Sequence, residues 1–186
     1  MKNIVLITGG ARSGKSTYAE KLAKETKGGV LYIATSIPFD DEMKDRVKKH
    51  KQRRPSTWYT FEGYKNLKSV FHNEEMKFDI ILLDCITIMV TNLMFDSAGD
   101  NFEELSNEAI DTMESEILQE ITDFIDEAEK STKTIFIVTN EIGSGIVPEY
   151  KISRVFRDIA GRVNQYIASR AQGVYLVVCG IPLKIK

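Results

Sequence analysis

Cysteine is scarce in this 186-residue chain, with only Cys85 and Cys179 present. Two cysteines so far apart exclude a disulfide framework, and neither has neighbours at metal-ligand spacing. Both therefore read as small, buried, apolar residues of a protein in a reducing compartment. Long hydrophobic runs are missing too: none approaches the ~20 apolar residues that a bilayer-spanning helix needs. A single lysine, Lys2, precedes a short apolar stretch that leads straight into a glycine turn, without a signal-peptide core or cleavage site, so a cytoplasmic protein is expected. Nor is there a surplus of charge. The 25 Lys and Arg residues against 27 Asp and Glu give a formal net charge of -2, which supplies no global reason for binding nucleic acid or a membrane surface. Any anion site must be local. Internal repeats, low-complexity segments and dividing linkers are absent as well, and 42% hydrophobic residues suffice for one core, so residues 1–186 are expected to form a single domain.

What is present is an alternation. Short runs rich in Ile, Val and Leu recur at Asn3–Thr8, Val30–Thr35, Asp79–Asp84, Thr134–Thr139 and Val174–Cys179. Continuous apolar runs of this length fit strands covered on both faces, and the helical patterns between them predict an α/β fold with a mostly parallel sheet flanked by helices. Helices are expected over Lys15–Lys27, from Asp40 to about Lys51, over Asn107–Lys130 and over Ser153–Ala171. The third carries Ile110, Met113, Ile117, Ile121, Phe124 and Ala128 at helical spacing. Phe95–Asn107 reads as a surface loop, and Ile181–Ile185 as an edge strand after a turn at Gly180.

Between the first strand and the first helix lies Gly9-Gly10-Ala11-Arg12-Ser13-Gly14-Lys15-Ser16, a full match to the P-loop pattern G-x-x-x-x-G-K-S in the context that makes it credible. The glycines let the backbone curl so that successive N–H groups face phosphate oxygens, and the helix start adds its positive end. Lys15 is then the catalytic cation that reaches the β and γ phosphates, and the Ser16 hydroxyl is a ligand for Mg²⁺. Such a site needs a further carboxylate at the end of a neighbouring apolar strand, and Asp84, closing Ile80-Ile81-Leu82-Leu83, is the candidate metal ligand. A plain helix N-cap or loop aspartate is the other reading of Asp84.

From Lys44 to Arg54 the chain carries seven Lys or Arg residues and His50 against one acid, Asp45. Most of these lysines fit a solvated helix face, and a histidine there is as readily a surface residue as a functional one. Chemistry favours more for His50: a neutral imidazole is a competent nucleophile toward phosphorus, and cationic neighbours would keep it deprotonated and hold a polyphosphate beside it.

Taken together, the sequence resembles the bifunctional adenosylcobinamide kinase / adenosylcobinamide-phosphate guanylyltransferase family of cobalamin biosynthesis. The resemblance rests on Thr8–Ser16, Tyr32–Ser36, Asp40–Met43, His50-Lys51 with Arg54-Pro55, Ile86–Leu93, Val138–Ile142, Gly145–Pro148 and Phe156–Gln165, which together cover nearly the whole chain. It implies a RecA-like P-loop NTPase domain that assembles as a homotrimer. It also implies two reactions, phosphorylation of adenosylcobinamide with ATP or GTP and transfer of GMP from GTP to the new phosphate through a guanylylated histidine. That histidine corresponds to His50. Nucleotide binding is implied for Gly9, Gly10, Ala11, Arg12, Ser13, Gly14, Lys15, Ser16, Ala34, Thr35, Ser36, Lys51, Gln52, Arg53, Arg54, Glu62 and Asp84. Some relatives have Glu where this chain has Asp84, and some carry a second histidine where it has Lys49, which leaves His50 without a competing nucleophile. Two rival readings share the P-loop: a kinase of another small molecule, which has no use for His50, and a RecA-like nucleotide-switched module that binds nucleic acid, against which the acidic total charge and the lack of interleaved aromatics in the basic segment both count.

Overall fold

The computed structural model describes residues 4–36, 54–99 and 102–186. A seven-stranded sheet runs through it in the order β3-β2-β4-β5-β1-β6-β7. Its strands are β1 (Ile4–Thr8), β2 (Val30–Ala34), β3 (Tyr59–Glu62), β4 (Ile80–Asp84), β5 (Thr134–Val138), β6 (Gly173–Val178) and β7 (Ile181–Lys184). Every neighbouring pair is parallel except β6 and β7. The helices are α1 (Lys15–Glu25), α2 (Ile86–Ala98), α3 (Asn107–Lys130) and α4 (Lys151–Arg170), with 3₁₀ turns at Leu67–His72 and Phe102–Glu104.

Successive side chains of a strand point to opposite faces, and here both faces are covered, which explains the unbroken apolar runs. Leu31, Ile33, Ile81, Leu83, Ile135 and Ile137 join the larger cluster, packed with α2, α3 and α4. Tyr32, Ala34, Ile80, Leu82, Phe136 and Val138 join the smaller one, against Ala19 and Ala23 of α1. On the larger side Phe124 of α3 is 1% exposed and its ring lies 5.4 Å from that of Phe71. Arg170 near the end of α4 ties back to α3 through Asp126 at 2.8 Å and Glu129.

The expected strands and the first, third and fourth helices stand within a few residues of their positions. The helix expected from Asp40 to Lys51 lies outside the described residues. Two readings are corrected. Phe95–Asn107 is not a plain surface loop, because α2 continues to Ala98 and the turn at Phe102–Glu104 buries Phe102. Cys179 is exposed in the turn between β6 and β7, while Cys85 is buried as expected. Strand β3 and helix α2 had no counterpart in the periodicity.

The core arrangement can be tested at Phe124. Phe124→Ala removes a fully buried ring against Phe71, and urea denaturation is expected to show a loss of about 3–5 kcal/mol; a loss below about 1 kcal/mol would contradict this packing.

Candidate nucleotide site

In a parallel sheet all strand ends of one kind share an edge, and open α/β sheets bind ligands outside the carboxyl edge. The register puts Glu62, Ala34, Asp84 and Val138 in one row at that edge, with Ile7 paired to Val138 beyond. The loop from Gly9 to Gly14 leaves the same edge from β1. One strand, β5, separates β1 from β4, so the loop and Asp84 arise roughly 10 Å apart, a gap that phosphates and a lysine can span.

The loop is held from three directions. Glu141 N–H donates to the Gly9 carbonyl at 3.1 Å, Gly180 N–H donates to the Ser13 carbonyl at 2.8 Å, and Ser13 N–H closes a turn onto the Gly10 carbonyl at 3.2 Å. Two glycines are required by space as well as conformation. A Cβ on Gly9 would come within 2.5 Å of the Val177 carbonyl oxygen, and one on Gly14, where φ is +95°, within 3.0 Å of the Gly180 Cα. Arg12 takes the left-handed conformation, with φ of 60°.

Helix α1 begins at this loop without a capping side chain. Its N-cap is Gly14, which has no side chain to accept from the first turn, and that turn contains no acid. By contrast, α3 opens on Ser106, whose hydroxyl accepts from Ala109 N–H at 3.2 Å, with Glu108 in its first turn. The first N–H groups of α1 thus keep their capacity for an anion, and the helix dipole favours one there. The hydroxyls of Thr8, just before the loop, and of Ser13, near its end, are buried and have no hydrogen-bond partner among the described residues.

Lys15 is only 9% exposed, and its ammonium donates to the Gly10 carbonyl at 3.2 Å. Burial lowers its pKa from the usual lysine value, with Cys85 and then Asp84 opposing the shift. Asp84 is therefore close enough to act electrostatically on Lys15. Its Oδ2 accepts from the Tyr32 hydroxyl at 2.8 Å. The N-cap of α2 is Cys85, so Asp84 does not have the capping role that was its other reading.

Of the Ala34–Ser36 segment, Ala34 and Thr35 are buried and Ser36 is half-buried. Thr35 is clamped: its hydroxyl donates to the Cys85 carbonyl at 2.8 Å and accepts from Cys85 N–H at 2.9 Å, and its carbonyl accepts from Asn92 at 2.8 Å. Glu62 is exposed at the end of β3. Arg54 is half-buried with its guanidinium 3.2 Å from the centre of the Tyr32 ring. His50, Lys51, Gln52 and Arg53 lie outside the described residues.

Several polar residues at this edge escaped the sequence reading. Asn140 donates to the Thr87 hydroxyl at 2.7 Å, Thr139 donates to Asn164 Oδ1 at 2.7 Å, and Asn164 donates to the Asn140 carbonyl at 3.1 Å. This network links the end of β5, the start of α2 and the interior of α4 beside the loop. Its only signal in the sequence was membership of segments that carry the resemblance. Tyr32 had no signal of its own either.

A family match resolves which P-loop protein this is. Residues 5–185 match the CobU family, cobinamide kinase / cobinamide phosphate guanyltransferase. The chain belongs to this family. It is 47% identical over 184 residues to the bifunctional adenosylcobalamin biosynthesis protein CobU of Escherichia coli (strain K12), covering 98% of this chain and 99% of that one. With the protein of the same name from Salmonella typhimurium it shares 48% over 183 residues, again 98% and 99% of the two chains. Among solved structures, a type III secretion system ATPase superposes with a TM-score of 0.59 over 95% of this chain and 52% of its own, at 10% identity. That likeness shows the fold alone, and the fold is the RecA-like P-loop arrangement. The chain is accordingly an enzyme of the bifunctional kinase and guanylyltransferase type.

The lowered pKa of Lys15 has a consequence for stability. Below that lowered value the buried ammonium is charged and opposes folding, and the penalty is relieved as pH rises through it. Lys15→Met is expected to leave the nucleotide-free protein at least as thermally stable as wild type at neutral pH, with any gain shrinking at alkaline pH. A drop in Tm of more than about 4 °C, roughly 1 kcal/mol or more for a chain of this size, would mean that the ammonium stabilises the fold.

Proposed function

We propose that this chain phosphorylates the aminopropanol hydroxyl of adenosylcobinamide with ATP or GTP, then transfers GMP from GTP to the product, giving adenosylcobinamide-GDP. The observation that carries the reading is the uncapped start of α1 behind a glycine loop with buried Lys15, on the same sheet edge as Asp84, in a chain that belongs to this family over nearly its full length.

In the kinase step the substrate hydroxyl attacks the γ-phosphorus in line and the nucleoside diphosphate leaves. The loop amides from Gly9 to Ser16 and the Lys15 ammonium stabilise the charge on the transferring group, and being fixed beforehand they need little reorganisation. Ser16 and Asp84 offer a hydroxyl and a carboxylate, hard oxygen donors suited to Mg²⁺, which takes one or two protein ligands and completes its shell with phosphate and water. The ion would supply charge neutralisation across the phosphates. No group of three or more His, Cys, Asp or Glu side chains that could cage a metal occurs among the described residues, so Ser16 and Asp84 are the ligands assigned here.

In the transferase step a neutral His50 nitrogen attacks the α-phosphorus, a nitrogen–phosphorus bond forms, and pyrophosphate leaves. An oxygen of cobinamide phosphate then displaces the imidazole, forming the diphosphate and freeing His50. Ala34, Thr35, Ser36, Lys51, Gln52, Arg53, Arg54 and Glu62 complete the nucleotide contacts in this reading.

The same reading makes residues 1–186 one domain, the protein cytoplasmic, and nucleic acid no partner. No helix among the described residues is long and apolar enough to cross a membrane. A homotrimer accords with the apolar side chains left outside between β5 and α4, where Ile146 is 93% exposed and Val147 and Tyr150 are 68% exposed.

Intact-mass measurement after mixing with GTP and Mg²⁺ is expected to show one added guanylyl group, labile to acid and stable to base, on the wild type and none on His50→Ala. Equal labelling of His50→Ala would remove His50 from the mechanism. Lys15→Ala is expected to lower kcat/KM of the kinase step by about 10²-fold or more, and unchanged activity would refute the role given to the cradle.

A further inference from the structure

Tyr32 sits at the middle of β2, between β3 and β4, with its side chain on the α1 face of the sheet. It is 2% exposed, yet it carries two polar contacts that no apolar core residue would have. Its hydroxyl donates to Asp84 Oδ2 at 2.8 Å, and the Arg54 guanidinium lies 3.2 Å from the centre of its ring. Glu20 of α1, itself 6% exposed, also acts on the phenol electrostatically.

The state of Arg54 is informative. Its Nε and Nη1 are buried and have no hydrogen-bond partner among the described residues. A ring face attracts a cation but offers no acceptor, and N–H groups withdrawn from water without one are costly. An oxygen-rich anion at this edge is the partner that would satisfy them. Asp84 shows the complementary arrangement: Tyr32 occupies one carboxylate oxygen, which restrains the carboxylate to rotation about that bond and so helps aim the other oxygen. A cation over the ring draws electron density from the phenol and strengthens its O–H as a donor. The position of Arg54 is therefore felt at Asp84.

We propose that Tyr32 is a positioning residue that couples Arg54 to Asp84, so that one buried side chain both aims the metal-binding carboxylate and holds the guanidinium ready for a phosphate. The proposal rests on the reading of Asp84 as a ligand of the nucleotide's magnesium ion. Hydrogen-bond partners that orient a metal ligand typically affect metal affinity by 10–100-fold, and Tyr32 stands in that relation to Asp84.

The test is binding of a fluorescent, non-hydrolysable GTP analogue, titrated with Mg²⁺ and repeated in excess chelator. Tyr32→Phe keeps the ring and drops the hydroxyl. It is expected to raise the Mg²⁺ concentration at half-maximal binding by about ten-fold and to leave binding in chelator unchanged. Tyr32→Leu drops the ring as well, and is expected to weaken binding in chelator too, because Arg54 loses its platform. In an Asp84→Asn background Tyr32→Phe is expected to add nothing further, since coupled residues are not additive. An unshifted Mg²⁺ midpoint for folded Tyr32→Phe, or full additivity with Asp84→Asn, overturns the proposal. Thermal denaturation of each variant separates misfolding from mispositioning, and Arg54→Met provides an independent arm, expected to weaken binding in chelator as Tyr32→Leu does. Failure of the wider functional reading is separately visible: wild type that binds the analogue but forms no guanylyl adduct and phosphorylates no cobinamide would sink that reading and leave the Mg²⁺ comparison intact.

Discussion

The unsatisfied backbone N–H groups where the Gly9–Gly14 loop becomes α1 are the constraint from which the rest of the site follows. A helix start can be closed by a side-chain acceptor, as α3 is by Ser106; α1, like α2 and α4, has none, and leaving it open withdraws that stabilisation from the fold. The loop compensates by being pinned to backbone on two sides, through Glu141 after β5 and through Gly180 between β6 and β7. Those anchors also explain why neither Gly9 nor Gly14 can carry a side chain. The room a Cβ would need is already occupied by the Val177 carbonyl and by Gly180. The β6–β7 hairpin, the one antiparallel element of the sheet, thus serves as a wall for the cradle as well as an edge.

How much of this was legible in the sequence depended on range. The cradle was legible because its parts are adjacent: a buried strand, the glycines, the lysine and an amphipathic helix stand within one local stretch. The strands β1, β2, β4, β5 and β6 were legible because burial on both faces leaves unbroken apolar runs. Helix α2 was hidden for a related reason. Met89, Val90, Leu93 and Met94 are buried, but so are Thr87 and Asn92, so the segment has no polar face to set against an apolar one. Strand β3 is four residues long, mostly exposed and at the sheet edge, and its alternation is too brief to read.

Within the site, what escaped the sequence were contacts between distant residues. Tyr32 meets Asp84 across 52 positions, Thr35 meets Cys85 across 50, and Asn140 meets Thr87 across 53. The first reaches from the middle of β2 to the end of β4, the second joins the residues that follow those two strands, and the third joins the residue after β5 to the start of α2. Their separation is set by the crossover connections, and no spacing rule within a single element can reveal them. The apolar run that announced β2 also concealed Tyr32, which reads as core and is core, except for its hydroxyl.

Asp84 shows how these separate features act together. Its carboxylate stands on the same face as Tyr32, close enough to act on the Lys15 ammonium, while its backbone pairs with Ala34 on one side and Val138 on the other. A carboxylate one methylene longer, as the resemblance suggests for some relatives, would carry its oxygens farther from the strand end and away from a hydroxyl fixed 2.8 Å from Asp84. The shorter acid and the tyrosine therefore form a matched pair. With one oxygen committed to Tyr32, the carboxylate's remaining freedom is rotation about that bond, and the nearby Lys15 ammonium favours orientations turned toward it. The result is a carboxylate set by neighbours on two different elements: Tyr32, held within β2 of the sheet, and Lys15, which opens α1 where the loop ends and is tied to the Gly10 carbonyl.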